Sequence, residues 1–170
     1  MNAPATVAQI TPQTIAFVLD GRSVDAFEGE SILDAAQRHG IAIPHLCHMQ
    51  GYRADGNCRA CVVEIAGERT LAPSCCRSAT DGMEVQSQSP RALKSQQMVL
   101  EMLLSDMPDQ GFLWNDADGA SPHGELSDWA TRLNVQVRPA LKALRREQPA
   151  ADLSHPAMAV NLDACIQCNR

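Results

Sequence analysis

The chain is 170 residues long, with 45% apolar and only 4% aromatic residues, a formal net charge of −6 and seven cysteines. That supports one or two small domains with cores of Ile, Leu, Val, Ala and Met. The acidic balance, with no basic stripe, points away from nucleic acid, and no run reaches the ~20 apolar residues of a membrane helix.

Residues 1–13 read as a disordered lead-in. With neither a charged start nor a continuous apolar run, they are not a secretory signal. Seven cysteines without an export signal indicate metal or redox chemistry in a cytoplasmic protein, not a disulfide framework. Ile15, Phe17 and Leu19 alternate, Asp20-Gly21 supplies a turn, and Val24 and Ala26 resume the alternation, which predicts a β-hairpin. Ser31 to Asp34 reads as a capping box with Asp in the Glu position. Ile32, Leu33, Ala35 and Ala36 then form a helical stripe that Gly40 terminates.

Pro44 favours extended backbone into the stretch from Cys47 to Cys76, which holds five of the seven cysteines. Cys47, Cys58, Cys61 and Cys75 are spaced C-x10-C-x2-C-x13-C, with Cys76 directly behind. Four soft thiolates suit an iron–sulfur or a zinc site. Zinc knuckles usually supply two close pairs, whereas this spacing has one, which favours iron–sulfur and leaves a zinc-stabilised interaction domain as the alternative. Gly51 and Gly56 either let the backbone approach the sulfurs, so that N–H groups point at them and tune the site, or simply permit the turns of the loop; the two roles are compatible. Val62, Val63 and Ile65, then Thr70 to Ala72, then Asp81 to Val85 predict three further strands. The order β-β-α-loop-β-β-β describes a small mixed sheet packed on one helix.

The runs G-E-S-I-L-D-A-A-Q-R-H-G-I-A-I-P-H-L-C, G-N-C-R-A-C-V-V-E-I, S-C-C and D-G-M-E-V resemble the N-terminal [2Fe-2S] domain of the complex I large peripheral subunit superfamily. That group includes NAD-reducing hydrogenases and NAD-linked formate dehydrogenases. The resemblance implies an α+β architecture with a β-grasp [2Fe-2S] ferredoxin domain over 14–88. It places Cys47 and Cys58 on one iron and Cys61 and Cys75 on the other, with Cys76 a neighbour that does not ligate.

Ser89-Pro90 caps a helix from Arg91 to Leu104, whose Leu and Met stripe reads as core. Residues 89–134 resemble the small helical domain in which family members hold a [4Fe-4S] cluster with H-x3-C-x2-C-x5-C. Here Met107 takes the histidine position, and Gly111 and Trp114 take the first two cysteine positions. The ligands are absent, while Trp114 and Trp129 are expected to pack there and His123 to face solvent. Residues 135–158 read as a linker, or a short helix at L-K-A-L-R-R-E, with Lys142, Arg145 and Arg146 on a solvated face.

Residues 159–170 resemble the opening of a bacterial-type [4Fe-4S] ferredoxin domain, C-x2-C-x2-C-x3-C-P. Cys165 and Cys168 stand as its first two ligands; a redox pair or zinc half-site is the other reading of the bare C-x2-C. The expectation is an N-terminal fragment in which a [4Fe-4S] cluster forms only in the complete protein.

Within the superfamily, the missing histidine–cysteine site and the run D-L-S-H-P-A-M-A-V-N-L-D-A-C-I-Q-C look most like the large subunit of NAD-linked molybdenum or tungsten formate dehydrogenase. The complete enzyme would use a molybdopterin metal centre, FMN and NAD to convert formate to CO2. Its partners would be the rest of the large subunit and flavin/NAD-binding diaphorase subunits, and these residues themselves contain no catalytic centre. A hydrogenase or complex I type subunit is the alternative.

Overall fold

The computed structural model describes residues 13–107, 124–145, 147, 150–160, 162 and 164–168. The lead-in up to residue 12, and Gly111, Trp114, His123 and Arg146, lie outside the described residues. Strand β1 (Thr14–Leu19) pairs antiparallel with β2 (Arg22–Phe27), Phe17 opposite Val24. Asp20 (φ 49°) and Gly21 (φ 78°) are both left-handed, as a two-residue hairpin turn requires. The Asp20 carboxylate also receives the Ser87 N–H at 2.7 Å and the Ser87 hydroxyl at 2.6 Å, tying the hairpin to a segment far along the chain.

Helix α1 (Ile32–Arg38) begins at Ser31, whose Oγ accepts from the Asp34 N–H at 3.0 Å. The other half of the box is missing, because the Asp34 carboxylate takes the Ser31 hydroxyl (2.6 Å) and His48 (2.8 Å) instead. The helix ends in a Schellman arrangement: Ile41 N–H bonds to Ala36 O and Gly40 N–H to Gln37 O, with Gly40 at φ 69°.

Strands β3 (Val62–Ile65), β4 (Ala72–Pro73) and β5 (Glu84–Gln86) complete a five-stranded sheet of order β2-β1-β5-β3-β4, in which β1 and β5 run parallel. The return strand is shorter and later than the predicted Thr70 to Ala72. Phe17, Leu19, Val24, Ile32, Leu33, Val63 and Val85 form the main core between sheet and helix. Burial of each large side chain contributes about 1.5–3 kcal/mol.

Helix α2 (Pro90–Ser105) is capped by Ser89, whose Oγ accepts from Ala92 N–H at 3.1 Å. Its buried face is Ala92, Gln96, Leu100 and Glu101. The methionine part of the expected core stripe is not buried, since Met102 is 61% exposed; the helix is rotated so that the 92–96–100 row faces inward, where Gln96 meets β3. Buried Gln96 donates from Nε2 to Val62 O (2.9 Å) and Ser87 O (3.1 Å), fastening α2 to β3. Helix α3 (Glu125–Arg132) packs on α2. Leu46, Ala60, Leu100, Met107 and Leu126 form a second core, with Trp129 packed against it.

Residues 135–158 carry more structure than the word linker implies. Helix α4 (Pro139–Lys142) follows Arg138, which grips Glu101 through Nε to Oε1 (2.7 Å) and Nη2 to Oε2 (3.0 Å). An exposed hairpin of β6 (Asp152–His155) and β7 (Met158–Val160) comes next. No helix among the described residues is long and apolar enough to cross a membrane.

Candidate metal centre

The cysteines come from two places: the loop between α1 and β3, and the turn after β4. Ile43 and Leu46, each about 1% exposed, anchor the start of the loop beside Cys47. Cys61 directly precedes β3. Fully buried Ser74 fixes the turn, donating both its N–H (3.1 Å) and its hydroxyl (2.7 Å) to Cys61 O. The carbonyls of Ser74 and Arg77 in turn accept the N–H groups of Leu33 (3.1 Å) and Ile32 (2.9 Å). The first turn of a helix has spare donors. Those of α1 hold Cys75 in place.

The sulfurs lie in two pairs. The N–H of Cys58 points at Cys47 Sγ at 3.5 Å, and Asn57 N–H is directed to the same sulfur. Burial pushes the Cys47 thiol up. In the other pair the Cys75 thiol beside Cys61 lowers Cys61 to about 6, while the Cys61 sulfur pushes Cys75 strongly upward. Two buried sulfurs this close share one proton unless a metal replaces it. Cys47, Cys61 and Cys75 are buried, Cys58 is half-buried and Cys76 is exposed.

Loop conformation aims these groups. Gly56 (φ 65°) and Arg59 (φ 56°) are left-handed; Arg59 bears the cost of that conformation between Cys58 and Cys61. Two side chains that the sequence does not single out also bear on the site. His48, next to Cys47 and 6% exposed, donates from Nε2 to Asp34 Oδ1 at 2.8 Å, and its Nδ1 is buried without a partner. Its ring lies edge-on to His45 at 6.2 Å, and His45 lies 5.9 Å from Trp129.

Among the described residues, no three of His, Cys, Asp and Glu surround one ion position. Two all-sulfur pairs with N–H groups aimed at Cys47 Sγ fit a dinuclear iron–sulfur cluster, which takes two thiolates on each iron. Cys165 is exposed and Cys168 half-buried; their neighbours Ala164 and Ile166 pack on the second core, as does Cys58. Met107, where family resemblance would place a histidine ligand, is 8% exposed in that core.

Residues 12–90 match the family of 2Fe-2S iron-sulfur cluster binding domains. This part of the chain is a [2Fe-2S] ferredoxin-type domain, a mixed sheet with helices in an α+β architecture. Over 92% of its length the chain is 34% identical to the NADP-reducing hydrogenase subunit HndD of Solidesulfovibrio fructosivorans, spanning 26% of that protein. It is 31% identical to a subunit of the NADH-quinone oxidoreductase of Rhizobium meliloti, again over 92% of its length and 18% of the relative's. A crystal structure of an NAD+-reducing [NiFe]-hydrogenase in the H2-reduced state superposes with a TM-score of 0.74 at 28% identity, covering 91% of this chain and 63% of that one. The chain thus spans about a quarter or less of the two curated relatives.

Proposed function

We propose that Cys47, Cys58, Cys61 and Cys75 hold a [2Fe-2S] cluster, and that the chain is an electron-transfer part of the large subunit of an NAD-linked oxidoreductase. The pairing of the sulfurs, two and two, three of the four residues buried and backbone N–H groups directed at Cys47, is the observation that carries this reading. When bound, such a cluster supplies one-electron exchange. The protein's part is to exclude water with Leu46, Ala60 and Cys61, all 1% exposed or less, and to direct N–H dipoles at the sulfurs.

The complete enzyme is proposed to be an NAD-linked formate dehydrogenase, converting formate and NAD+ to CO2 and NADH with a molybdopterin metal centre and FMN carried elsewhere. Support comes from the apolar setting of Met107 in place of a histidine–cysteine cluster site and from the run leading to Cys165 and Cys168. Those two cysteines are the proposed first ligands of a bacterial-type [4Fe-4S] cluster. Partners on this reading are the rest of the large subunit and a flavin/NAD-binding subunit. The names of the relatives favour a second reading, a subunit of an NAD-reducing hydrogenase or of complex I type.

EPR of the native complex, isolated with whatever subunits accompany this chain, separates them. Formate should reduce its clusters while hydrogen does not; reduction by hydrogen and not by formate selects the hydrogenase form of the second reading, and reduction by NADH with neither of the other two selects the complex I form.

A further inference from the structure

Five cysteines surround a site that uses four, and the fifth is shaped into it. Cys76 Sγ stands 3.5 Å from Cys75 Sγ. Two thiolates about 2.3 Å from one tetrahedral metal stand roughly 3.8 Å apart, taking the zinc–thiolate length as guide. Cys76 Sγ thus stands beside the sulfur it would replace, within the span that two thiolates on one metal occupy. Although the residue is exposed, its sulfur turns across the loop toward Ala54 O at 3.8 Å. A Cβ on Gly56 would come within 2.9 Å of the Cys76 sulfur. The loop accommodates that sulfur by carrying no side chain at position 56.

We propose that Cys76 is a reserve ligand, able to replace Cys75 on the iron that Cys75 shares with Cys61. In the exchange one iron–sulfur bond at Cys75 breaks and one at Cys76 forms. The Cys76 thiol gives up a proton, the Cys75 thiolate takes one, and no electron moves. The juxtaposition of Cys75, Cys76 and Gly56 sets the two sulfurs side by side on one turn, so the exchange requires only a local shift of that turn. The inference rests on the [2Fe-2S] reading above.

The test is iron and sulfide content, with the visible spectrum, of the full 170-residue chain reconstituted anaerobically. It compares the unaltered protein with C75A, C75V, C76A and C75A/C76A. Valine keeps the buried volume at position 75, which guards against a simple packing failure. Failure of the unaltered chain to bind iron and sulfide would overturn the [2Fe-2S] reading itself. With that chain loaded, the proposal predicts that C76A is fully loaded and that C75A or C75V keeps at least half the iron with an all-sulfur spectrum. C75A/C76A should keep none. Loss of the cluster in both C75A and C75V, to the level of the double variant, overturns the proposal. Loss in C76A alone also overturns it, by making Cys76 the standing ligand.

Discussion

His48 and Asp34 are joined at 2.8 Å, Nε2 to Oδ1, across the space between the cysteine loop and helix α1. The same carboxylate takes the Ser31 hydroxyl at 2.6 Å. One side chain in the first turn of α1 thus secures both its own cap and the residue that follows Cys47. His48 is buried and its other nitrogen has no partner, so Asp34 carries its whole polar satisfaction.

Replacing Asp34 with Ala should therefore cost about 1–3 kcal/mol, the penalty for stranding a buried polar group. Urea unfolding of the metal-free chain measures it. Changing His48 to Phe as well should recover part of the loss, because both polar partners are then gone. If D34A and D34A/H48F unfold alike, the pair does not act as a unit.

Gly56→Ala carries two separable penalties. The left-handed φ of 65° disfavours any Cβ by about 1–2 kcal/mol, and the 2.9 Å approach to Cys76 Sγ adds a clash. Reconstituted iron content should fall in G56A and rise partway in G56A/C76A, where only the backbone penalty remains. Full loading of G56A would show that the loop is not shaped around that sulfur.

Gln96→Leu keeps the size of a fully buried side chain but leaves Val62 O and Ser87 O without its amide. The expected loss is about 1–3 kcal/mol for each stranded carbonyl, with both thermal and urea midpoints shifted down. A change under about 0.5 kcal/mol, the usual size for a surface substitution, would remove Gln96 as the fastener between α2 and β3.

Docking of residues 135–143 should depend on acid. The Arg138 guanidinium beside Glu101 holds that carboxyl below its usual value of 4.5. A carboxyl depressed in the folded state stabilises fully above its unfolded pKa, and the contribution fades as pH falls through the lower folded value. Hydrogen exchange at the Arg138 amide, which donates to Glu101 Oε1 at 3.0 Å, should therefore lose protection as the pH falls below 4.5. In E101Q that pH dependence should vanish; its persistence would assign the effect to another group.

These contacts mark the boundary of what local sequence conveys. The first hairpin, α1 and its Gly40 stop, and the start of α2 rest on turn and cap residues that act within a few positions, so all are legible. The spacing of Cys47, Cys58, Cys61 and Cys75 picks out the metal-site candidates because thiolates at such intervals have few other uses. Gln96, Glu101 and His48 are not legible. Each is a polar residue made useful by a partner 34, 37 or 14 positions away, and no periodicity encodes that. Met102 reads as core from sequence because a helix with apolar residues on several sides does not declare which side meets the sheet. The β6–β7 hairpin escapes detection because Pro149, Pro156 and exposed polar residues read as linker, and it buries almost nothing that alternation would reveal.

What the two sulfur pairs hold is tested most directly by metal analysis. Iron, acid-labile sulfide and zinc should be counted on the anaerobically purified 170-residue chain, with EPR after dithionite reduction. Two irons with matching sulfide are expected, as the family of residues 12–90 implies, together with an S = ½ signal on reduction. A colourless protein with one zinc per chain, unchanged by iron and sulfide reconstitution, would contradict the cluster and leave a structural domain in place of an electron carrier.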